Sequence, residues 1–193
     1  MNTFFTSDTH FGHANIIKYN SRPFRHVDEM DDELIRLWNG VVGDDDIIYH
    51  LGDFTLGSNA SKYFCRLNGH IHVLGYPWHH DHRWLPGADG LASKSGHLIT
   101  IEPPMVVLEF EEYSMNGRPK PVTLCHYPLA RWDRSHYGSW HLHGHDHGHY
   151  HADEDIPILD VGVDCNMFNP VSIEDVAEFM EGKTALQLNH PRK

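Results

Sequence analysis

Five short fragments of the chain carry side chains that ligate metals: Asp8-Thr9-His10, Gly52-Asp53, His79-His80-Asp81, His126 and Gly144-His145-Asp146-His147. Carboxylate oxygens are hard donors and imidazole nitrogens borderline ones, and a set that mixes them suits first-row divalent ions. A single aspartate can bridge two cations through its two oxygens. Asp53 is the natural bridge, because Gly52 lets the backbone approach closely. His145 and His147 stand two apart behind a glycine, so an extended loop can bring both to one cluster. His126 ends the strand-like run Thr123-Leu124-Cys125, and Pro128 fixes the turn after it. Each fragment alone has a plainer reading. Asp8 suits a turn or an N-cap, Gly52-Asp53 a common turn, and His126 a hydrogen-bonded strand end. The alternating His141 to His151 run suits a surface loop that holds metal loosely. Together, each after a strand-like stretch, they suggest two divalent ions and hydrolysis of a phosphate ester by a metal-bound hydroxide.

The elements that must position these residues alternate between strand and helix patterns, which indicates an α/β or layered sandwich fold. Strands are expected at Asn2 to Thr6, Asp46 to Leu51, Ile71 to Leu74, Leu98 to Ile101, Met105 to Phe110, Val122 to Cys125, Trp140 to His143 and Ile158 to Val163. Asn116-Gly117 is a hairpin signal. Helices are expected at Ala14 to Tyr19, from an N-cap at Asp28 to Asn39-Gly40, and from Ala60 to Leu67. Met30, Leu34, Leu37 and Trp38 give the second helix its apolar face. Ser172-Ile173-Glu174-Asp175 resembles a capping box that opens a last helix, with Gly182 past its end. No repeat or linker interrupts the chain, so residues 1–182 read as one domain, followed by a polar, frayed tail at 183–193.

Composition narrows the function classes. The chain has 193 residues, enough for one domain with a proper core. The net charge of −12 disfavours extended nucleic-acid binding, since a broad acidic surface repels phosphate backbones. No apolar run is long enough to span a bilayer, and Met1 to Phe5 lacks the basic start of a signal peptide, so a cytoplasmic location is the default. The three cysteines, Cys65, Cys125 and Cys165, are scattered and read as small buried hydrophobes. Asp44-Asp45-Asp46 reads as a solvated turn more than as a metal patch.

In order and spacing, the five fragments resemble the calcineurin-like metallophosphoesterases, which carry D-x-H, G-D, G-N-H-[DE], a lone histidine and G-H-x-H. The resemblance runs from residue 3 to about residue 176. It extends to small bacterial and phage members through Ser7-Asp8-Thr9-His10-Phe11-Gly12-His13, Tyr49-His50-Leu51-Gly52-Asp53-Phe54 and Asp160-Val161-Gly162-Val163-Asp164. It implies a four-layer αββα sandwich, two divalent metal ions (manganese, iron, zinc or nickel) and a hydroxide between them as nucleophile. Asp8, His10 and His147 would hold the first ion, Asp53 would bridge, and His126 and His145 would hold the second. His80 would stabilise the transition state or protonate the leaving group, with Asp81 orienting its ring.

The departure from the family is the missing asparagine. The chain reads Gly75-Tyr76-Pro77-Trp78-His79-His80-Asp81, so His79 takes the asparagine's place if His80-Asp81 is the family pair. If Gly75 is the family glycine instead, the ligand falls on Tyr76; a third alternative is that this ligand is lost. His13, Asn15, Arg25 and Arg83 are candidates to face the substrate, and Trp78 and Trp84 offer rings for stacking on a base. The expected partner is a small phosphorylated substrate, a nucleotide among the candidates. Two other readings stay open: a metal-binding scaffold that has lost catalysis, and a nuclease, against which the absence of a basic stripe counts.

Overall fold

The structure, a computed structural model, describes residues 1–185; positions 186–193 of the expected tail lie outside the described residues. In chain order the elements are β1 (Thr3–Thr6), α1 (Ala14–Tyr19), α2 (Val27–Val41), β2 (Ile47–His50), α3 (Ser61–Phe64), β3 (His70–Leu74), β4 (Thr100–Glu102), β5 (Met105–Met115), β6 (Arg118–Cys125), β7 (Trp140–His143), β8 (Ile158–Asp160), β9 (Val171–Ser172) and α4 (Ile173–Phe179). They build two mixed sheets, ordered β4-β3-β2-β1-β9 and β5-β6-β7-β8. β1 to β4 run parallel and β9 antiparallel to them. In the second sheet β6, β7 and β8 run parallel and β5 antiparallel. The chain is α/β.

Strand alternation places two apolar sets on opposite faces of the first sheet. Phe5, Leu51 and Leu74 face Val122, Leu124 and Leu142 of the second sheet. Phe4, Ile48, Ile71 and Val73 point the other way, against Met30, Leu34, Ile35 and Trp38 of α2 and Phe64 of α3. Full burial of such a side chain contributes about 1.5–3 kcal/mol. A slip of one residue would turn both sets inside out, so the register is fixed, and with it the position of whatever follows each strand.

The fragments follow the carboxyl ends of β1, β2, β3, β6 and β7. Hydrogen bonds continue the ladder beyond the strands and tie these loops together. The N–H groups of Asp8, His10 and Phe11 donate to the carbonyls of Gly52, Asp53 and Phe54. Across the sheets, Val163 N–H donates to Ser7 O, and within the second sheet Gly144 N–H donates to His126 O. The site therefore rests on a rigid seam between the sheets.

Several boundaries differ from expectation, each for a local reason. The N-cap of α2 is His26, whose ring accepts from Glu29 N–H, and Asp28 and Glu29 lie inside the first turn where the helix dipole favours them. α2 runs one residue past Asn39-Gly40, to Val41, and the Asn39 amide is engaged with Arg66 O and Asn68 N. α3 is shorter than Ala60 to Leu67. Leu98 forms an isolated bridge with Ala92, and Val163 enters a 3₁₀ turn, Val163–Cys165. The Asn116-Gly117 turn, with both φ positive, and the Ser172/Asp175 capping box form as expected. Of the cysteines only Cys125 is buried; Cys65 and Cys165 are exposed, so the reading of all three as buried hydrophobes is corrected. Among the described residues no helix is long and apolar enough to cross a membrane.

Candidate metal centre

The expected ligands converge into two groups that share a wall. Asp8, His10 and His147 offer donor atoms all within 4.8 Å of one another, and so do Asp53, His126 and His145. Asp53 Oδ2 lies 3.7 Å from His10 Nε2 on one side and 3.6 Å from His126 Nε2 on the other. Its carboxylate thus stands between the groups, the position expected of a bridge. Asp8 Oδ1 is 3.9 Å from His10 Nε2 and 4.0 Å from His147 Nε2. Donors about 2.1 Å from one divalent ion lie roughly 3–4 Å apart, so these spacings fit such ions.

The backbone is bent to make this arrangement. Asp8, His10, Asp53, His145 and His147 all have positive φ, between 49° and 75°, which is rare outside glycine. Five such residues in one cluster mark a site whose geometry is held at a cost to the chain. Gly144 explains the tightness: a Cβ there would stand 2.3 Å from both Asp8 Oδ2 and Ser7 Oγ.

The polar inventory tests the fit of a cation. Buried donors and acceptors normally find partners. Here Asp8 Oδ1, both ring nitrogens of His10, Asp53 Oδ1, His79 Nδ1 and His126 Nδ1 are buried without a hydrogen bond among the described residues. Burial pushes the Asp8 carboxyl up to about 8, with the Asp53 charge adding to the rise while His147 opposes it. Burial pulls His10 well below its usual value and His126 down to about 3, leaving neutral imidazoles, the form that binds metal. Burial alone would raise Asp53, but its contact with His79, together with the charge the neighbouring imidazoles carry when protonated, holds the carboxyl well below the usual range. A carboxyl pushed up by burial, an ionised carboxylate and imidazoles with orphaned atoms are what a nearby cation would relieve, and this mixed donor set fits divalent ions of the manganese, iron, zinc or nickel type.

His79 sits beside these groups. Its Nδ1 lies 3.3 Å from Asp53 Oδ1, its Nε2 is hydrogen-bonded to Tyr127 Oη, and its ring stacks on Tyr76. Tyr76 does not take the ligand position, since its hydroxyl engages Pro104 O and His126 N–H. His80 packs edge-on to His10 with ring centroids 5.2 Å apart, and 5.7 Å from the His13 ring. With His10 and Asp53 it forms a further group within 4.8 Å.

Asp81 is corrected. It does not orient His80: its buried carboxylate accepts from the N–H groups of Phe54 and Thr55 and from Trp84 Nε1. It locks the turn that carries Asp53. Trp84 is corrected too, being 2% exposed in the core, whereas Trp78 is 70% exposed. Trp78 lines an open cleft of about 320 Å³ with Asp53, His79, His80, His82, Tyr127 and His145. Asn15, Arg25 and Arg83 are exposed and do not line this cleft; His13 is half-buried at its His80 side. Of the alternating histidines, His141 and His143 are buried in β7, where His141 bridges Thr123 O and Leu129 N–H.

Sequence reasoning missed the support of His147. Asp164 Oδ2 accepts from His147 Nδ1 at 2.6 Å and from Arg22 Nη2 at 2.7 Å. Arg22 is buried, and also donates to the carbonyls of Asp8 and Thr9. This carboxylate fixes the His147 tautomer so that Nε2 faces Asp8, and it raises the ring's pKa against the opposing effect of burial. The signal was Asp164 itself, at the end of the Asp160-to-Asp164 run. Asp164→Ala is expected to weaken metal affinity about 10–100-fold, measured by competition with a chelating dye. Unchanged affinity would contradict the role. Tyr127 was missed as well, although it directly follows His126.

No family model matches the chain. It is 34% identical over 195 residues to "Uncharacterized protein MJ1445" of Methanocaldococcus jannaschii, covering 95% of this chain and 94% of that protein. It is 39% identical over 75 residues to "Gene 66 protein" of Mycobacterium phage L5, covering 39% of this chain and 32% of that protein. A crystal structure of the protein of unknown function AQ665 from Aquifex aeolicus superposes with a TM-score of 0.64 at 23% identity. It covers 92% of this chain and 98% of AQ665, a likeness of fold.

Proposed function

We propose that this chain, which belongs to the family of the archaeal protein MJ1445, is a metal-dependent phosphoesterase of the calcineurin-like metallophosphoesterase type. The observation that carries the reading is Asp53, standing between two donor groups in which Asp8 Oδ1, both His10 ring nitrogens and Asp53 Oδ1 are buried without partners, while His126 Nε2 and His145 Nδ1 meet at 3.2 Å. The four-layer αββα sandwich is part of the proposal. Two observations support it: α2 and α3 pack on one face of the first sheet with the second sheet on its other face, and Trp132 packs on His141 of β7. A cytoplasmic location is proposed with it.

Asp8, His10 and His147 would hold one ion, His126, His145 and His79 the other, with Asp53 shared. When bound, two such cations supply Lewis-acid chemistry, lowering the pKa of water and neutralising phosphoryl charge. The protein's own groups do the rest. Asp164 and Arg22 aim His147, Tyr127 and Tyr76 aim His79, and Asp81 holds the Asp53 turn. His80 stands at the cleft beside His10 and donates a proton to the leaving oxygen. Trp78 and Tyr127 flank a cleft suited to a small phosphorylated substrate, and the −12 charge argues against an extended polyanion.

The test is to strip the metal, restore manganese, iron, zinc or nickel, and assay mono- and bis-p-nitrophenyl phosphate. Hydrolysis of at least one ester is expected to return with metal; none with any of the four would refute the proposal. A second reading, a metal-binding scaffold without catalysis, draws on the lost asparagine and on His79 standing outside the tight group. Bound metal with no hydrolysis would favour it. His79→Asn is expected to keep activity while shifting metal preference towards harder ions, because an amide oxygen replaces imidazole. The activity ratio for manganese against zinc reports this, and an unchanged ratio would remove His79 from the ligand set.

A further inference from the structure

A second group of metal-ligating side chains lies at the other end of the first sheet. Asp45 precedes β2, His70 opens β3, and His97 belongs to the turn closed by the Ala92–Leu98 bridge. These are the amino ends of the parallel strands, whereas the centre described above lies past their carboxyl ends. Donor atoms of Asp45, His70 and His97 are all within 4.8 Å of one another. The two imidazoles stack with centroids 3.5 Å apart and planes 19° from parallel.

We propose that Asp45, His70 and His97 form an independent, solvent-accessible site for a borderline divalent cation of the zinc type, which staples three chain segments together. Three observations carry it. First, the scaffold is built. Asp46 accepts from Asn2 and Gly43 N–H, His70 N–H donates to Asp46 O, and Ser95 Oγ donates to Asp44 and accepts from Gly69 N–H. Second, these bonds occupy the carboxylates of Asp44 and Asp46 and leave that of Asp45 free among the described residues. The acidic turn thus presents one donor towards the histidines. Third, His97 Nε2 donates to Asp44 O at 3.1 Å. A carbonyl that takes one ring N–H of a histidine fixes its tautomer and leaves the other nitrogen with a lone pair for a metal. Two imidazoles and one carboxylate with an open side is a zinc donor set.

The proposal does not rest on the phosphoesterase reading, and its test separates the two. Zinc content after dialysis is counted by inorganic mass spectrometry for four proteins: wild type, His97→Ala, Asp53→Asn, and Asp53→Asn with His97→Ala. The His97 change is expected to remove one zinc per chain in both backgrounds, and His70→Gln to do the same. In the Asp53→Asn background, excess zinc is expected to raise Tm by roughly 5 °C, and His97→Ala to abolish that rise. Phosphoester hydrolysis by His97→Ala is expected to stay within about twofold of wild type, as for a site outside the catalytic cleft. Equal zinc counts with and without His97, or a loss that vanishes in the Asp53→Asn background, would overturn the site.

Discussion

Asp53→Asn is expected to lower phosphoester hydrolysis by about three orders of magnitude or more and to reduce bound metal in the main centre. The magnitude follows from the several kcal/mol that paired cations contribute at a phosphoryl transition state, at 1.36 kcal/mol per decade of rate. The cause lies in the geometry. One oxygen of Asp53 is equidistant, within 0.1 Å, from His10 Nε2 at 3.7 Å and His126 Nε2 at 3.6 Å, and the other faces His79 Nδ1. Asp8 groups its ligand atoms with His10 and His147, and its Oδ2 takes the His145 N–H at 2.9 Å, so only Asp53 sets a side-chain oxygen between the imidazoles of the two groups among the described residues. The amide nearly conserves volume, so the fold is expected to persist, which circular dichroism checks. Asp53→Asn with wild-type metal content would show that the two groups do not share this residue.

His80→Ala is expected to cost about 100-fold or more in turnover while leaving metal content unchanged, the pattern of a lost general acid. The structure makes this a sharp choice, because His80 also lies within ligand distance of His10 and Asp53. If His80 is a ligand, its removal lowers metal content together with the rate. If it is an acid, the loss shrinks for an ester with a good leaving group, such as p-nitrophenyl phosphate, and grows for an alkyl ester. Equal rates for the variant and wild type would overturn the alignment that places His80-Asp81 on the family pair.

Asp81 illustrates where sequence reading stops. The spacing His80-Asp81 offered a carboxylate adjacent to a catalytic ring, but adjacency in a 3₁₀ turn, His80–Arg83, sends neighbouring side chains in different directions. Asp81 turns inward to the N–H groups of Phe54 and Thr55, which a one-dimensional reading does not pair with it. The same holds for Asp164 and Arg22, 142 positions apart and joined at 2.7 Å only after β8 is laid beside β7. The candidate ligands were legible because they follow strands. Strand periodicity marks β1, β2, β6 and β7, and a parallel strand delivers the residue after its carboxyl end to one edge of the sheet. Helix starts were less legible, as at α2, where the His26 ring and not Asp28 caps the first turn, while the end at Val41 falls one residue past Asn39-Gly40.

The positive φ values add what the motif letters lack. Asp8, His10, Asp53, His145 and His147 adopt left-handed backbone with side chains that glycine would avoid carrying. The cost of about 1–3 kcal/mol each is sustained by the ladder of hydrogen bonds joining the loops. Such strain is expected where ligand position matters more than local stability.

The most direct measurement is anomalous diffraction at the metal absorption edges from crystals of the reconstituted protein. The account predicts two peaks on either side of the Asp53 carboxylate, one against Asp8, His10 and His147 and the other against His126 and His145. A single peak, or none near Asp53, would contradict it.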